Sequence, residues 1–457
     1  MTSHLHSLLS LRQQARTIFQ AGVAAANPYQ AVQRAITVAE NHIALQLDVT
    51  NPQKIRIGRW TKIHLIALGK AACTMAKAVQ DCVPAEWLAD TALVITNYEN
   101  LIDLPPFTVI GAGHPLPDAA GLQAAQQVIA QLKQAQQGEL VLVLISGGGS
   151  ALLPAPVEPV TLAEKMRTTD LLLSSSATIT EINCVRKHLS QLKGGHLTRL
   201  ACPADVHALI LSDVLGDDLS TIASGVSVAD NSRYSEAIEI LIRYAVWDKI
   251  PLSVQQVLVE GQAGQRKETP KSVEAFFKHS SHVLIGSNAL SVQAAMQSAR
   301  QEGYQTHLYN AALTGIAREQ ATHWVQHIKA LVPLLKQPTA FIAGGETTVN
   351  VTGSGKGGRN QELALAFAIA AKKDKLLNDW VFLSGGTDGK DGETDAAGGL
   401  VDSQSIERIK NARFNPTNRL NNNDSYTALN SSGDLLITGA TGTNVADLSV
   451  LLIYPLK

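Results

Sequence analysis

The stretch Gly344 to Glu362, GGETTVNVTGSGKGGRNQE, most constrains the fold: the apolar run Thr339 to Ala343 leads into it, and the apolar-rich run Leu363 to Ala371 leads out. That order predicts a strand, a glycine-dense loop and a helix. A chain that needed only to turn would not crowd Glu346, Lys356, Arg359, Asn360 and Glu362 into the same bend. Glycine has no Cβ, so backbone N–H groups approach an anion closely, and the positive end of the following helix adds to the attraction. The stretch is expected to seat a phosphate or a carboxylate. The bland alternative is a hairpin with a solvated basic tip.

The same succession recurs along the chain. Ile63 to Leu68 runs into Gly69-Lys70, Leu140 to Ile145 into SGGGSALL, and Val206 to Leu211 into SDVLGDDLSTIASG. Val381 to Leu383 leads into SGGTDGKDGETDAAGG, and Leu435 to Thr438 into GATGTN. Strands alternating with helices predict an α/β protein of two α/β/α domains with mainly parallel sheets, whose ligands bind beyond the strands' C-terminal ends. At 457 residues the chain is too long for one ordinary core. The polar segment GQAGQRKETPKS, Gly261 to Ser272, reads as a surface linker and puts the change near residues 261–280, giving a Rossmann-like domain over 1–270 and a second α/β domain over 271–457. Leu8 to Phe19 and Tyr29 to Ala39 have helical spacing and form the lead-in.

Composition removes several function classes. Lysine and arginine (38) nearly cancel aspartate and glutamate (39), leaving no footprint for nucleic acid or an anionic membrane. The four cysteines show no zinc-ligand spacing and read as reduced thiols of a cytoplasmic protein. No segment approaches 18 uninterrupted apolar residues, and Arg12 and Arg16 interrupt any leader, so neither a membrane span nor a signal peptide is expected.

Lys70 stands where a strand ends and a helix begins, against the helix dipole, so a ligand there is expected unless its ammonium merely snorkels to solvent. Ser146, Gly147, Gly148, Gly149 and Ser150 follow the most apolar strand and offer backbone donors and hydroxyls to a phosphate. Asp213, Asp217 and Asp218 crowd one strand's end, and Asp388, Asp391, Glu393 and Asp395 crowd another. Carboxylates so placed suit Mg²⁺, which takes one or two of them plus phosphate and water; helix capping is the competing use for Asp217 and Asp218. Gly353, Gly355 and Gly358 satisfy G-x-G-x-x-G, yet a dinucleotide site also wants an acidic residue about 20 positions on. Asp388 is the nearest fit and comes 30 residues after Gly358. A phosphate-cradling GxxxxGK fails because Asn350 stands where the first glycine belongs. Glycine loops, two cations and acidic loops together are the parts for phosphoryl transfer.

The segments GKAA at Lys70, GHPLPD at His114, SGGGSALL, KHLSQLKGG at Lys187, SDVLGDDLSTIASG, GGETTVNVTGSGKGGRNQE, GTDGKDGETDAAG and GATGTNVADL resemble, in colinear order, the glycerate 2-kinase family, which pairs a kinase-associated α/β domain with a MOFRL domain. The resemblance implies ATP-dependent phosphorylation of D-glycerate at its 2-hydroxyl, with Mg²⁺, in an inter-domain cleft. It places the family's cleft lysine on Lys70 and its cleft arginine on Arg359. With Asp213 these make the expected catalytic set. Ser146 to Ser150, Lys193, Glu346, Gly355, Gly357, Gly358, Asn360 and Asp388 are expected to bind substrate or nucleotide. Asp213, Asp388 and Asp391 are the metal candidates. Val226 departs from the family, whose members often carry proline after IASG. The partners implied are small molecules, and a homodimer is left open. A hydroxypyruvate reductase using NAD(P)H is the runner-up, since relatives often bear that label; a non-catalytic sugar-acid binding module is the third reading.

Overall fold

The computed structural model describes residues 2–455, with side chains from Leu8 onward. The chain forms two units, residues 28–285 and residues 1–27 together with 286–457.

In the first unit a helix, Pro28–Ala35, precedes a small antiparallel sheet of β1 (Ile36–Ala39), β2 (His42–Gln46) and β3 (Ile55–Gly58). The helical spacing expected through Ala39 thus ends at Ala35, where the β-branched run Ile36-Thr37-Val38 pairs as a strand. The main sheet has β4 (Ile63–Leu68), β5 (Leu93–Asn97), β6 (Thr108–Ala112), β7 (Leu140–Ile145), β8 (Asp205–Leu211) and β9 (Ser280–Gly286), in the order β6-β5-β4-β7-β8-β9. The pairings from β6 through β8 are all parallel. β4, β5 and β7 are buried along their whole length because helices cover both faces, Ala72–Cys82 on one and Ala119–Leu132 on the other. From β4 the chain winds outward through β5 to β6, then returns to place β7 on the other side of β4. The winding reverses between β4 and β7, the position where such sheets bind ligands.

A further helical core in this unit gathers residues of Leu162–Ser174, Ile179–His188, Tyr234–Arg243 and Leu252–Gln262. The segment expected to be a linker is tied down instead: Thr269 is buried and donates to Asp230, and Glu268 meets buried His188.

In the second unit β10 (Gln305–Leu313), β11 (Thr339–Gly345), β12 (Trp380–Gly386), β13 (Gly398–Asp402), β14 (Leu435–Leu436) and β15 (Asp447–Ile453) form a sheet ordered β10-β11-β15-β12-β13-β14. Here the expectation of mainly parallel strands is corrected: only β10–β11 is parallel, and the other pairings are antiparallel. The final strand inserts between β11 and β12 running against both, and β12 returns to β13 through an acidic loop with no crossover helix. One face is covered by Ala317–Leu331 and Arg359–Lys373, the other by Asn288–Gln301 and the N-terminal helix Thr2–Ala25.

That last helix was expected in the 1–270 domain. It packs Leu8, Leu11, Ile18 and Phe19 against β12 and β15 residues, and Gly22 lies so close that a Cβ there would meet Leu448 Cδ2 at 2.5 Å. Arg12 donates to the buried carboxylates of Asp402 and Asp434 at 2.6 and 2.9 Å. The division between units accordingly falls at 285/286 and not at 270/271. Among the described residues no helix is long and apolar enough to cross a membrane.

Two outcomes test this packing. Arg12→Met leaves two buried carboxylates with only Arg408 between them, and is expected to cost about 2 kcal/mol or more in denaturant melts. The second concerns His188. Burial opposes its charge, but hydrogen bonds to the Cys184 carbonyl and Glu268 outweigh burial and raise its pKa to about 9. Burial likewise opposes charge on Glu268, yet His188 and the Tyr234 N–H bring it down to about 2. The histidine contribution is complete below its ordinary 6.5 and is lost as pH rises through about 9; the glutamate contribution is complete above its ordinary 4.5 and fades toward 2. The melting temperature should fall between pH 6.5 and 9, and His188→Gln should flatten that fall.

Candidate functional site

At the switch point of the parallel sheet, β4 and β7 run side by side with Leu68 opposite Ile145, so their C-terminal loops emerge together. The loops are spliced. Ser146 N–H donates to Leu68 O at 2.9 Å, Lys70 N–H to Gly147 O at 2.9 Å, and Ala71 N–H to Ser146 Oγ at 3.0 Å. Gly69 has φ +118°, and a Cβ on it would stand 2.2 Å from Ser146 Oγ, so no other residue fits. Ser146, expected to face a ligand, is buried and occupied in holding the two loops.

The splice presents Gly147 and Gly148 to three side chains. A Cβ on Gly147 would fall 2.2 Å from Asp213 Oδ2, which places that carboxylate against the backbone. A Cβ on Gly148 would meet His114 Nε2 at 3.0 Å and Lys70 Cε at 3.5 Å. Lys70, His114 and Asp213 therefore converge on one short piece of glycine backbone. Burial, and after it the Lys70 charge, lowers the His114 pKa and favours the neutral ring. His114 was missed as a site residue although its motif GHPLPD is distinctive. The local pattern marks that segment as a rigid loop and gives no sign of what it approaches. Ser150 and Lys193 lie on the loop's far side, where Lys193 Nζ donates to Ser150 O at 2.7 Å and Leu153 O at 3.2 Å. Gly149 packs on Leu68.

In the other unit the glycine loop differs from the expectation of an anion seat. The Thr352 and Gly353 N–H groups donate to Asn423 Oδ1 at 2.9 Å, Gly355 N–H to Asn422 O at 2.9 Å and Lys356 N–H to Asp424 Oδ1 at 3.2 Å. Gly357 packs on Ser425. Gly358 precedes the helix Arg359–Lys373, and a Cβ on it would lie 2.3 Å from the Asp391 carboxylate carbon. Asp391 accepts from Asn360 N–H at 3.1 Å and from Gln361 N–H at 2.8 Å. The anion at this helix N-terminus is thus the protein's own carboxylate. Asp391 was expected to ligate metal. It is buried, and both of its oxygens serve the helix; burial and the Asp447 charge raise its pKa to about 6 against the opposing helix N–H groups. Asn360, also buried, accepts from Ser384 Oγ at 2.6 Å. Asp388 closes a turn onto Lys390 N–H at 3.0 Å.

Arg359 is held by two acids. Nε and Nη2 donate to Asp447 at 2.6 and 2.9 Å, and Nη1 to Glu346 at 2.9 Å. Burial works against the charge of Arg359, but Asp447 and Glu346 prevail and raise its pKa further. Asp447 escaped the sequence reading although it lies in GATGTNVADL, because only the sheet order brings it to Arg359.

Among the described residues no three His, Cys, Asp or Glu side chains gather as a metal site. A full protein cage is therefore not what these residues suit. Asp213 against glycine backbone suits a cation that completes its shell with phosphate and water.

The chain fits two family descriptions, "Domain of unknown function (DUF4147)" over residues 14–259 and "MOFRL family" over 339–447. It is 38% identical to a glycerate 2-kinase of Pyrococcus horikoshii, covering 94% of each chain. It is also 38% identical to a putative hydroxypyruvate reductase of Agrobacterium vitis, covering 97% of this chain and 95% of that one. The crystal structure of a glycerate kinase from Thermotoga maritima superposes with a TM-score of 0.85 at 38% identity, covering 97% of this chain and 99% of the other.

Asp391 as a helix cap makes a stability forecast. Asp391→Ala should lower the unfolding free energy by about 1–2 kcal/mol, the usual worth of a capping side chain. Asp391→Asn, which keeps one acceptor, should lose less. Urea melts of the three proteins measure this.

Proposed function

Because the chain belongs to the glycerate 2-kinase family, we propose that it transfers the γ-phosphoryl group of ATP to the 2-hydroxyl of D-glycerate. The observation that carries this reading is the convergence of Lys70, His114 and Asp213 on Gly147 and Gly148 at the switch point of the parallel sheet. Phosphoryl transfer needs little covalent help from a protein; it needs positioned charge. The Lys70 ammonium stands ready to offset negative charge on phosphoryl oxygens. The neutral ring of His114 offers a hydrogen-bond partner to the attacking hydroxyl. Mg²⁺, when bound with the nucleotide, supplies charge neutralisation across the phosphates, and Asp213 is the residue of this unit suited to hold it.

Arg359 is assigned the role of a donor to the transferring group. A guanidinium has five N–H donors, three of which Asp447 and Glu346 engage, so the fork is aimed and still has donors for oxygens. The reductase reading is disfavoured by the G-x-G-x-x-G loop itself. A pyrophosphate needs that loop's N–H groups and the helix N-terminus behind it, and both are taken by Asn422 to Asp424 and by Asp391. The four free cysteines suit a reducing cytoplasm.

Purified protein given D-glycerate, ATP and Mg²⁺ should form ADP and 2-phosphoglycerate; NADH oxidation with hydroxypyruvate in place of that reaction would falsify the assignment. Arg359→Lys keeps the charge and loses the fork, so kcat should drop on the order of a hundredfold, with a smaller change in the KM for ATP. Near wild-type kcat in a variant with unchanged melting would remove Arg359 from the transfer step.

A further inference from the structure

Beyond Ser150 the loop of the first unit borders a cavity of about 130 Å³. Three cations line it, Lys165, Arg186 and Lys193, and each meets only neutral oxygen. Lys165 Nζ donates to Pro154 O at 2.6 Å, Lys193 Nζ to Ser150 O and Leu153 O, and Arg186 Nη2 to Ser150 Oγ at 2.5 Å. Lys165 and Lys193 are 5% and 0% exposed, yet among the described residues none of the three cations forms an ion pair. Elsewhere the chain answers such charges: Lys187 has Asp230 at 3.2 Å, and Arg318 has Glu362 at 2.8 Å. The one carboxylate in the lining, Asp170, lies exposed at the rim.

Collecting two buried lysines and a half-buried arginine without an anion is costly. Burial, and then their mutual repulsion, pushes the pKa of both lysines well below the ordinary value. An anion entering the cavity reverses that penalty. The remaining walls include Leu116, Leu162 and Met166, which leave room for a small organic acid and give no partner for a polyphosphate. Pro115 also lines the cavity, and its neighbour His114 lies against Gly148. The cavity thus borders, at Ser150 and Pro115, the same loop and the same motif that bring Gly148 and His114 together.

We propose that this cavity is the carboxylate seat of the acceptor acid, with Arg186 donating to the carboxylate and Lys165 and Lys193 supplying the charge behind it. The proposal rests on the reading of the chain as a kinase of D-glycerate and assigns Lys165 and Arg186, which that reading leaves unused. Lys193, expected to touch substrate, acts in it through the loop carbonyls and through its charge.

The test is a calorimetric titration with D-glycerate in the absence of nucleotide, beside steady-state kinetics, for the wild type, Arg186→Met, Arg186→Lys and Met166→Glu. Arg186→Met should weaken D-glycerate binding and raise its KM by about tenfold or more, the worth of a hydrogen bond to a charged group, while the KM for ATP stays within about twofold. Arg186→Lys should recover part of the loss. Met166→Glu, which leaves all three cations in place and adds a carboxylate beside them, should weaken D-glycerate as strongly. Glycerol, lacking the carboxylate, should not bind. Glycerate affinity unchanged in Arg186→Met and Met166→Glu, or ATP weakened as much as glycerate, overturns the proposal. Inorganic phosphate binding that Arg186→Met abolishes while glycerate affinity holds also overturns it and makes the cavity a phosphate seat. Wild-type protein that binds D-glycerate but forms no ADP defeats the kinase reading alone, since the titrations still report the seat. If D-glycerate does not bind at all, the seat fails with it.

Discussion

The ends of three strands meet at Asp447. This residue opens β15, and its register partners are Gly345 and Gly386, the last residues of the strands on either side. A carboxylate so buried is expensive to keep charged, and burial does raise its pKa. Arg359 supplies the compensation through two hydrogen bonds, and Arg359 is also the first residue of the helix covering that face of the sheet. One ion pair therefore fixes where the helix begins, where the last strand enters and which way a guanidinium points. Asp391, reaching the same helix start from the loop after β12, brings a second carboxylate into the arrangement. Carboxylates distant in sequence, Asp391 and Asp447, thus hold the first turn of this helix.

The parallel sheet reaches a comparable result by different means. At its switch point the loops after β4 and β7 interlock through backbone N–H groups and one serine hydroxyl. Closeness comes from the missing side chain at Gly69. Neutral splicing leaves the charged groups around it, Lys70 and Asp213, on the outside of the splice, where solutes reach the edge of the sheet. Charge around Arg359 thus serves to fix geometry, whereas beside the splice Lys70 stands exposed.

How much of this was legible depended on the distance of the partner. Lys70 was legible because the strand before it and the helix after it are local patterns, and a sheet-edge lysine follows from them. The glycine loop was half legible. Its composition announced a close approach, but what approaches is Asn422 to Ser425 and Asp391, and no local spacing names a partner some 30 to 70 residues on. The direction of β15 was equally hidden, since an apolar run at the chain's end pairs with whichever strands the rest of the fold leaves vacant. The N-terminal helix had a clear apolar face and no means of declaring the sheet it covers. Arg186 and Lys165 stand in helices where charges ordinarily face water, and only the structure turns them inward.

The N-terminal helix belongs to a unit whose remaining residues begin at 286. A chain made at 5–20 residues per second therefore presents Leu11, Ile18 and Phe19 to the cell for roughly 20 to 90 seconds before their partners on β12 and β15 are synthesised. In the meantime the intervening unit, contiguous in sequence, has every strand it needs to fold. This helix is thus made before the intervening unit and packed after it, and its apolar face is a ready substrate for chaperones during that interval.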